Sequence, residues 1–308
     1  QYEHFQTRAE DNRISLVPVV PNRGVILDRN GVVLASNYSA YTLEITPNKV
    51  ADLEAVINEL AGIVDIQPKD RKRFRKLLEE SKNFESLPIR TRLSDEEVAR
   101  FIARRFRFPG VEIKARLFRQ YPQGELASHA LGYIGRVNDR DLGTIERNNA
   151  EDNYRGTEHF GKTGLEQKYE FELHGQTGFE QVEVEAGGRA VRVLERTPPQ
   201  PGNSLLLSRD GRVQQGVEKA FGKRRGALVA IEPSTGGILA LVSMPGYDPN
   251  LFVDGIGSQD WEALNTSEDK PMVNRALNGA YPPGSTFKPF MALAALETGK
   301  RTPQQAIS

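Results

Sequence analysis

The chain has 308 residues, which is long enough for two domains with buried cores. Its 41 basic and 41 acidic side chains cancel, so we expect no nucleic-acid partner, which would require a basic excess. The absence of cysteine excludes disulfides, thiolate zinc sites and a cysteine nucleophile. The four histidines are scattered without metal-ligand spacing, so we expect neither a metal nor a cofactor.

Residues 14–47 are predicted to form β-strands. Two apolar triplets, residues 25–27 and 32–34, flank a turn whose Asn30-Gly31 pair predicts a hairpin. Residues 41–46 then alternate between apolar and polar, which is typical of a strand that is buried on one face.

After these strands the apolar spacing becomes helical. One amphipathic helix is predicted over residues 50–63, and a strongly basic helix over residues 69–80. A third begins at Ser94, where Ser94 and Glu97 match a capping box. The basic run at residues 71–73 is interpreted as a solvated helix face, with an anion or partner site as the alternative.

From residue 111 the β pattern returns, with a hairpin predicted at Gly187-Gly188. The proline-rich residues 197–202 favour an extended linker. Beyond it we predict a helix near residue 213 and two strands, at 227–231 and 238–242. The pattern therefore predicts an α+β module of about 200 residues, followed by the opening of a second domain.

A nucleotide site is the first chemistry to consider. Residues 156–163 fit the phosphate-loop pattern, in which backbone amides hold phosphates, Lys162 reaches the outer phosphates and Thr163 binds Mg²⁺. Such a loop must leave a buried strand. Residues 148–155 are almost wholly polar, so the nucleotide site is kept only as a weak alternative.

The stronger candidate is the S-x-x-K pair Ser285 and Lys288, which opens an apolar helical stretch ending at Gly299. A spacing of three residues places both side chains on one helix face, where a lysine could take the seryl proton if burial lowers its pKa. We expect the apolar helix to provide that burial. A second copy, Ser267 and Lys270, encloses two acidic residues and is interpreted as a loop.

Two readings of Ser285 stay open on these residues alone. In the first, Ser285 is a nucleophile with Lys288 as its base, and the helix N-terminus stabilises an oxyanion. In the second, Ser285 is an ordinary N-cap serine followed by a surface lysine.

Eight segments in the same order resemble one known family, the class B penicillin-binding proteins of the elongation type. They are RGVILDRNG (23–31), FPGV (108–111), HALGY (129–133), GKTGLE (161–166), LHGQTG (173–178), SMPGYDPN (243–250), VNRA (273–276) and YPPGSTFK (281–288). The resemblance covers essentially the whole chain and assigns the phosphate-loop lookalike to a non-catalytic pedestal.

The resemblance implies a fold. Residues 1–200 would form an α+β pedestal, a β-rich anchor with a helical head insertion at about 48–108. Residues 201–308 would form the start of an α/β, β-lactamase-like transpeptidase domain that is incomplete at its C-terminal side. Because no initiator Met, signal peptide or bilayer-spanning apolar run is present, we expect both ends to continue in a longer protein.

The resemblance also implies an activity, peptidoglycan D,D-transpeptidation with the related D-Ala-D-Ala carboxypeptidase chemistry. Ser285 would attack the penultimate D-Ala carbonyl of a stem peptide with Lys288 as general base, and β-lactams would acylate the same serine. The implied location is the periplasmic face of the bacterial inner membrane, held there by an N-terminal helix that this sequence does not contain. The implied partners are a SEDS-type glycosyltransferase (RodA-like) and MreC-like elongation proteins.

One departure limits the implied activity. The family's S-x-N and K-[ST]-G motifs should follow Lys288, but the matching triplets, residues 81–83 and 162–164, both lie upstream. We therefore expect the 308-residue chain to be a poor enzyme or none. The alternative function is a scaffold that binds the glycosyltransferase and its regulators. A β-lactamase or β-lactam sensor would share S-x-x-K but would not explain the pedestal.

Overall fold

The computed structural model describes residues 14–80, 86–184 and 190–305. Its strands are β1 (Ile14–Val19), β2 (Ile26–Leu27), β3 (Val33–Ile45), β4 (Leu87–Leu93), β5 (Val111–Gln120), β6 (Ile134–Arg136), β7 (His159–Gly161), β8 (Gly175–Gln176), β9 (Gly178–Val184), β10 (Ala190–Thr197), β11 (Gln200–Pro201), β12 (Leu205–Leu206), β13 (Gly226–Ile231) and β14 (Ile238–Met244).

Short helices and longer ones connect these strands. They are α1 (Leu53–Leu60), α2 (Pro68–Glu80), α3 (Asp95–Ile102), α4 (Ser128–Leu131), α5 (Asp139–Arg147), α6 (Gly164–Lys168), α7 (Glu170–His174), α8 (Gly211–Phe221), α9 (Ser258–Thr266), α10 (Arg275–Asn278) and α11 (Lys288–Glu297). Turns of 3₁₀-helix lie at Pro47–Lys49, Arg105–Arg107, Pro249–Phe252 and Gly284–Phe287. Among the described residues, none of these helices is both long enough and apolar enough to cross a lipid bilayer.

The long strand β3 organises the first sheet. It pairs antiparallel with β2, β4 and β5, while β12 joins the other edge of β2 in parallel. The predicted Asn-Gly hairpin is confirmed, because Leu27 lies opposite Val33 across the turn. The chain thus returns to its first hairpin almost 180 residues later, which ties residues on both sides of the predicted linker into one sheet.

The expectation that residues 41–46 are buried on one face only is wrong. Leu43 is buried, as predicted, but so is Glu44, and Tyr41 is exposed. Glu44 is covered by two cationic side chains of β5, Lys114 at 3.3 Å and Arg116. The long aliphatic stems of such residues shield the carboxylate from water, which an apolar–polar pattern cannot reveal.

Helices α1 to α3 pack on β3 and β4 and form a closed unit, here called the head (residues 43–111). Its core residues are Leu43, Ile45, Ile57, Leu60, Ile63, Val64, Ile66, Phe74, Leu87, Ile89, Leu93, Phe101, Phe108 and Val111. The predicted capping box is confirmed, since the Ser94 and Glu97 side chains each accept the other's backbone N–H at 3.2 and 2.9 Å. Arg73 departs from the predicted solvated face, because it pairs with buried Asp70 at 3.0 Å.

A second sheet has the order β1-β9-β10. Strands β9 and β10 pair antiparallel as predicted, although the Gly187-Gly188 turn lies outside the described residues. The predicted linker at residues 197–202 is extended but held in place. Gln200 pairs with Gln176, and the Gly202 N–H donates to the Asn22 carbonyl at 2.9 Å. Extended proline-rich backbone can still serve as an edge strand.

The C-terminal region, here residues 226–305, starts with the predicted pair β13 and β14, which lie antiparallel. Helix α8 packs on β14, and α10 contacts both strands. Helix α11 follows, but its apolar side chains remain in solvent. The most exposed are Phe290 (65%), Met291 (58%) and Leu293 (57%).

Candidate active site and its support

Ser285 lies in the 3₁₀ turn Gly284–Phe287 directly before α11, which starts at Lys288. Gly284 has a φ of +52°, a conformation that favours glycine and starts the turn. The Lys288 backbone N–H donates to the Ser285 carbonyl, so the two residues are one turn apart. Pro289 occupies the first helical turn, where its missing N–H breaks no helical hydrogen bond. The structure thus brings Ser285 and Lys288 to the same helix start.

Both candidate residues are exposed. The expectation that α11 itself buries Lys288 is wrong for the described residues, because Phe290 and Met291 project into solvent beside it. Phe287 and Phe290 contact each other at 5.9 Å between ring centroids. A lysine base needs a less polar environment than this one. A role for Lys288 as a base would therefore require additional packing over α11.

A buried serine of β14 anchors the segment that leads towards Ser285. The Ser243 hydroxyl donates to the Val273 carbonyl at 3.0 Å and accepts the Arg275 N–H at 2.9 Å. Asn274, between them, caps α10 by accepting the Leu277 N–H at 3.2 Å. One hydroxyl therefore fixes both the approach to α10 and its first turn.

The same segment is also held from the other side by α4. A ring nitrogen of His129, Nε2, lies 2.7 Å from the Pro271 carbonyl. The Asn274 amide donates to the His129 backbone carbonyl at 3.3 Å. The His129 ring stands edge-on to Tyr247, with centroids 5.1 Å apart. Burial lowers the pKa of His129 below its ordinary value of 6.5, so the imidazole is neutral at neutral pH.

Further ties join the two parts of the chain. The Asn250 side chain brackets the backbone of Tyr121, accepting its N–H and donating to its carbonyl at 2.9 Å each. The Glu218 carboxylate of α8 accepts the Ala127 N–H at 3.0 Å. The buried Asp28 carboxylate accepts the Gly211 N–H at the start of α8, at 3.0 Å. Such paired contacts hold the C-terminal region at a fixed place on the rest of the molecule.

A buried charged network lies under this junction. Glu166 accepts hydrogen bonds from Arg23 Nε at 2.8 Å, Arg119 Nε at 2.7 Å and the Tyr121 hydroxyl at 3.1 Å. Arg23 also reaches Glu170 at 2.7 Å. Burial opposes the ionisation of Glu166, but Arg23 and Arg119 outweigh it and keep the pKa of Glu166 below its ordinary value. The charges of this network pair with one another inside the protein, which indicates a structural role.

The phosphate-loop lookalike does not have the geometry of a nucleotide site. Strand β7 runs antiparallel to β6, whereas a phosphate loop leaves a parallel strand. Lys162 forms an ion pair with Asp141, which occupies the ammonium that would contact phosphate. Within the described ranges, no group of histidine and carboxylate side chains could hold a metal ion.

Two other motif matches remain, the second S-x-x-K copy at Ser267 and the S-x-N triplet at residues 81–83. Ser267 ends α9, and Lys270 follows it with a φ of +42°, so this copy is the loop that was predicted. The S-x-N lookalike at residues 81–83 lies outside the described residues. Only the copy at Ser285 opens a helix.

Sequence reasoning gave no role to His129, Ser243 or Asn274. Each lies within a segment that carries the family resemblance, but their contacts join positions far apart in the chain. No spacing rule links His129 to Pro271, which is 142 residues away. The only available signal was the presence of polar residues inside otherwise apolar segments, which is too common to identify them.

Comparison with known proteins identifies both parts. A family model described as the penicillin-binding protein dimerisation domain matches residues 18–207. A second, described as the penicillin-binding protein transpeptidase domain, matches residues 226–308.

Curated relatives agree with these matches. The peptidoglycan D,D-transpeptidase MrdA of Escherichia coli K12 is 45% identical over 299 residues, covering 97% of this chain and 47% of the relative. MrdA of Acinetobacter baumannii is 42% identical over 298 residues, covering 97% of this chain and 44% of the relative. The chain therefore spans about half the length of the curated relatives it matches.

Solved structures show the same fold. A complex between PBP2 and MreC from Helicobacter pylori has a TM-score of 0.75 and 28% identity, covering 96% of this chain and 54% of the other. Pseudomonas aeruginosa PBP2 in complex with WCK 5153 has a TM-score of 0.61 and 35% identity, covering 94% and 43%. The chain belongs to the penicillin-binding proteins, as a class B member of the elongation type with a dimerisation domain followed by the start of a transpeptidase domain.

Proposed function

We propose that this chain is part of a peptidoglycan D,D-transpeptidase in which Ser285 is the acyl-accepting nucleophile and Lys288 its base. The observation that carries the proposal is the placement of Ser285 and Lys288 one turn apart at the start of α11. That helix lies within the region that matches the transpeptidase domain. The printed activity of the MrdA relatives supports the reaction type.

In the proposed reaction, Lys288 accepts the hydroxyl proton of Ser285 while Oγ attacks the carbonyl carbon of the penultimate D-Ala. The amide bond breaks, and terminal D-Ala leaves with a proton. An amino group of a second stem peptide then attacks the ester, releasing Ser285 and forming the cross-link. Water in place of the amine gives the carboxypeptidase outcome. The backbone amide of Ser285 would supply one donor to the oxyanion.

A less polar environment for Lys288 is the requirement that the described residues do not meet. Its side chain is exposed, and so are the apolar residues of α11 beside it. We propose that the remaining part of a transpeptidase domain packs on this face, lowers the polarity around Lys288 and supplies the S-x-N and K-[ST]-G motifs. In the proposed assembly, β-lactams occupy the donor position and acylate Ser285.

The proposed partners and location follow from the family. One solved relative is a complex with MreC, which supports an MreC-like partner for this chain. A RodA-like, SEDS-type glycosyltransferase is proposed as the enzyme that supplies the glycan strands to be cross-linked. The proposed location is the periplasmic face of the inner membrane.

The scaffold function is the second candidate. The specific observation in its favour is the contrast between the head, whose core is closed, and α11, whose apolar side chains are exposed. A pedestal that is internally complete could bind partners without a working Ser285. In this case the pedestal alone would retain the partner interaction.

Fluorescent penicillin labelling of the full-length gene product tests the proposed nucleophile. We expect Ser285→Ala to abolish labelling and Ser267→Ala, in the other S-x-x-K copy, to leave it unchanged. Lys288→Ala should slow labelling by about 100-fold or more, since a general base contributes 10²–10⁴-fold, whereas Lys270→Ala should not. Equal labelling of Ser285→Ala and the unchanged protein would exclude Ser285 as the nucleophile.

A further inference from the structure

Two residues on opposite sides hold the backbone that leads to Ser285. Residues 271–274 run between Lys270 and α10, and the turn that carries Ser285 follows α10 after five residues. Ser243 of β14 binds this backbone from within the C-terminal region. His129 of α4 binds it from the region matched by the dimerisation domain. Ser243 and His129 therefore hold the same segment from two different parts of the chain.

We propose that His129 is a positioning residue for acylation, which donates its Nε2 hydrogen to the Pro271 carbonyl and thereby sets the placement of the segment leading to Ser285. This inference rests on the proposed function of Ser285. His129 does not touch the reacting atoms; it acts through the backbone between Pro271 and α10.

The direction of the hydrogen bond follows from its partners. A carbonyl oxygen only accepts, so Nε2 of His129 must carry the proton. The distance of 2.7 Å is short for a neutral donor, and both His129 and Pro271 are buried. Loss of the donor would leave the Pro271 carbonyl without that bond in a buried place, where an unmet acceptor is costly.

One contact to its ring and one to its backbone hold His129 in place. The Tyr247 ring stands edge-on to the His129 imidazole, with 83° between the two planes. This contact restricts rotation of the imidazole about its Cβ–Cγ bond. The Asn274 amide donates to the His129 backbone carbonyl at 3.3 Å. Burial and, to a lesser extent, the charge of Arg275 disfavour a second proton on the ring. The position of the His129 donor therefore depends on the position of α4.

Because Ser243 holds the segment independently, loss of the His129 donor should shift the segment without unfolding the region. A displaced nucleophile loses rate in the chemical step, and small displacements far from the reacting atoms can cost up to about 100-fold. The hydrogen bond contacts neither Ser285 nor Lys288, so we expect its loss to change the binding of a β-lactam before acylation very little. The expected signature is thus a lowered acylation rate constant with little change in the preceding dissociation constant.

The test compares substitutions at one position in the full-length gene product. His129→Gln keeps an amide donor near the place of Nε2, His129→Asn holds a shorter amide that stops short of Pro271, and His129→Leu has no donor. Stopped-flow acylation by a fluorescent penicillin gives the rate constant and the dissociation constant separately. We expect His129→Leu and His129→Asn to lower the rate constant by about 10- to 100-fold, and His129→Gln to restore it to within about 3-fold.

His174 supplies the matched control. It is buried in α7, its Nε2 contacts the Thr157 hydroxyl at 2.8 Å, and burial lowers its pKa as it does that of His129. We expect His174→Leu to lower stability and leave the acylation rate constant of the folded protein unchanged. Should His129→Leu not fold, the comparison of His129→Gln with His129→Asn carries the test alone.

The outcomes separate the two proposals. If Ser285→Ala abolishes labelling but the Leu, Asn and Gln variants of His129 all keep the unchanged rate constant, the positioning role is wrong and the nucleophile stands. Equal losses in the Gln and Asn variants would also overturn it, because the donor would then be irrelevant. If Ser285→Ala still labels, the proposed function itself has failed.

Discussion

In the head, the apolar side chains of three helices are buried against β3 and β4, with Phe74 only 1% exposed. In the C-terminal region, α11 is more apolar than α2, which carries Phe74, yet Phe290 is 65% exposed. The helix that buries Phe74 is strongly basic, so hydrophobic composition does not explain the difference. The head has a sheet on which its helices pack, whereas α11 has no such surface within residues 226–305.

This difference indicates that the buried core and the proposed catalytic residues, Ser285 and Lys288, lie in separate parts of the molecule. Residues 18–207, the part matched by the dimerisation domain, contain the largest fully buried side chains and the charge network around Glu166. Ser285 and Lys288 stand on an exposed helix that is attached to this support through the junction at His129 and Ser243. The core of the pedestal is therefore closed, whereas the surface around Ser285 and Lys288 is exposed.

The largest expected effect concerns acylation by the 308-residue chain itself. With Lys288 exposed and the downstream motifs absent, we expect its labelling by fluorescent penicillin to be at least about 1,000-fold slower than that of the full-length gene product. Mass spectrometry of the intact chain after incubation would measure the acylated fraction. Stoichiometric acylation at a comparable rate would show that α11 needs no further packing.

Matched phenylalanine substitutions test the packing contrast directly. Phe74→Ala in the head removes a buried ring and should lower the free energy of unfolding by about 3–5 kcal/mol. Phe290→Ala in α11 should change it by less than about 0.5 kcal/mol, since that ring is largely in solvent. Urea unfolding followed by circular dichroism measures both. Similar losses would mean that α11 is buried in solution.

Local signals in the sequence predicted much of the fold. The Asn30-Gly31 hairpin and the Ser94 capping box depend on residues within a few positions of each other, so a pattern could identify them. The same holds for the helix start at Ser285 and Lys288, where the motif and the apolar stretch are adjacent. The resemblance then supplied the order of domains.

Long-range contacts were beyond such patterns. The exposure of α11 depends on what packs over it, and the Glu166 network joins Arg23 to a carboxylate 143 residues away. The burial of Glu44 was missed for the same reason, because Lys114 and Arg116 reach it from another strand. Charge and periodicity describe a strand's own residues and not those that come to cover it.

Substitution in the charge network around Glu166 further tests the contrast between buried and exposed regions. Glu166→Gln removes the charge that balances Arg23 and Arg119, leaving Arg119 buried without its main partner. We expect a loss of about 3–5 kcal/mol in the free energy of unfolding. The control is Glu59→Gln, which breaks an exposed pair with Arg107 and should cost less than about 1 kcal/mol. A small effect at Glu166 would contradict a structural role for the network.

The smallest expected effect is a difference in acid sensitivity between the part of the chain before residue 175 and the C-terminal region. All histidines of the sequence lie before residue 175, and none lies in the C-terminal region. Burial lowers the pKa of His129 and of His174 below the ordinary value of 6.5, so the folded state binds fewer protons than the unfolded one just below that pH. Stability should therefore be full above about pH 7 and fall as the pH drops through 6.5 towards the folded pKa values.

The free energy of unfolding in urea, measured at about pH 7.5 and about pH 5.5, gives this loss. Substitutions of His129 and His174 then give the share of each of these two histidines. His174→Gln should reduce the pH dependence of the pedestal, and His129→Gln should reduce that of the junction, since glutamine does not titrate in this range. Hydrogen exchange resolved by segment would locate the effect, with faster exchange at acid pH expected in α4 and α7 and not in β13 and β14. Acid-induced opening confined to β13 and β14 would contradict the assignment, because no histidine of this chain lies there.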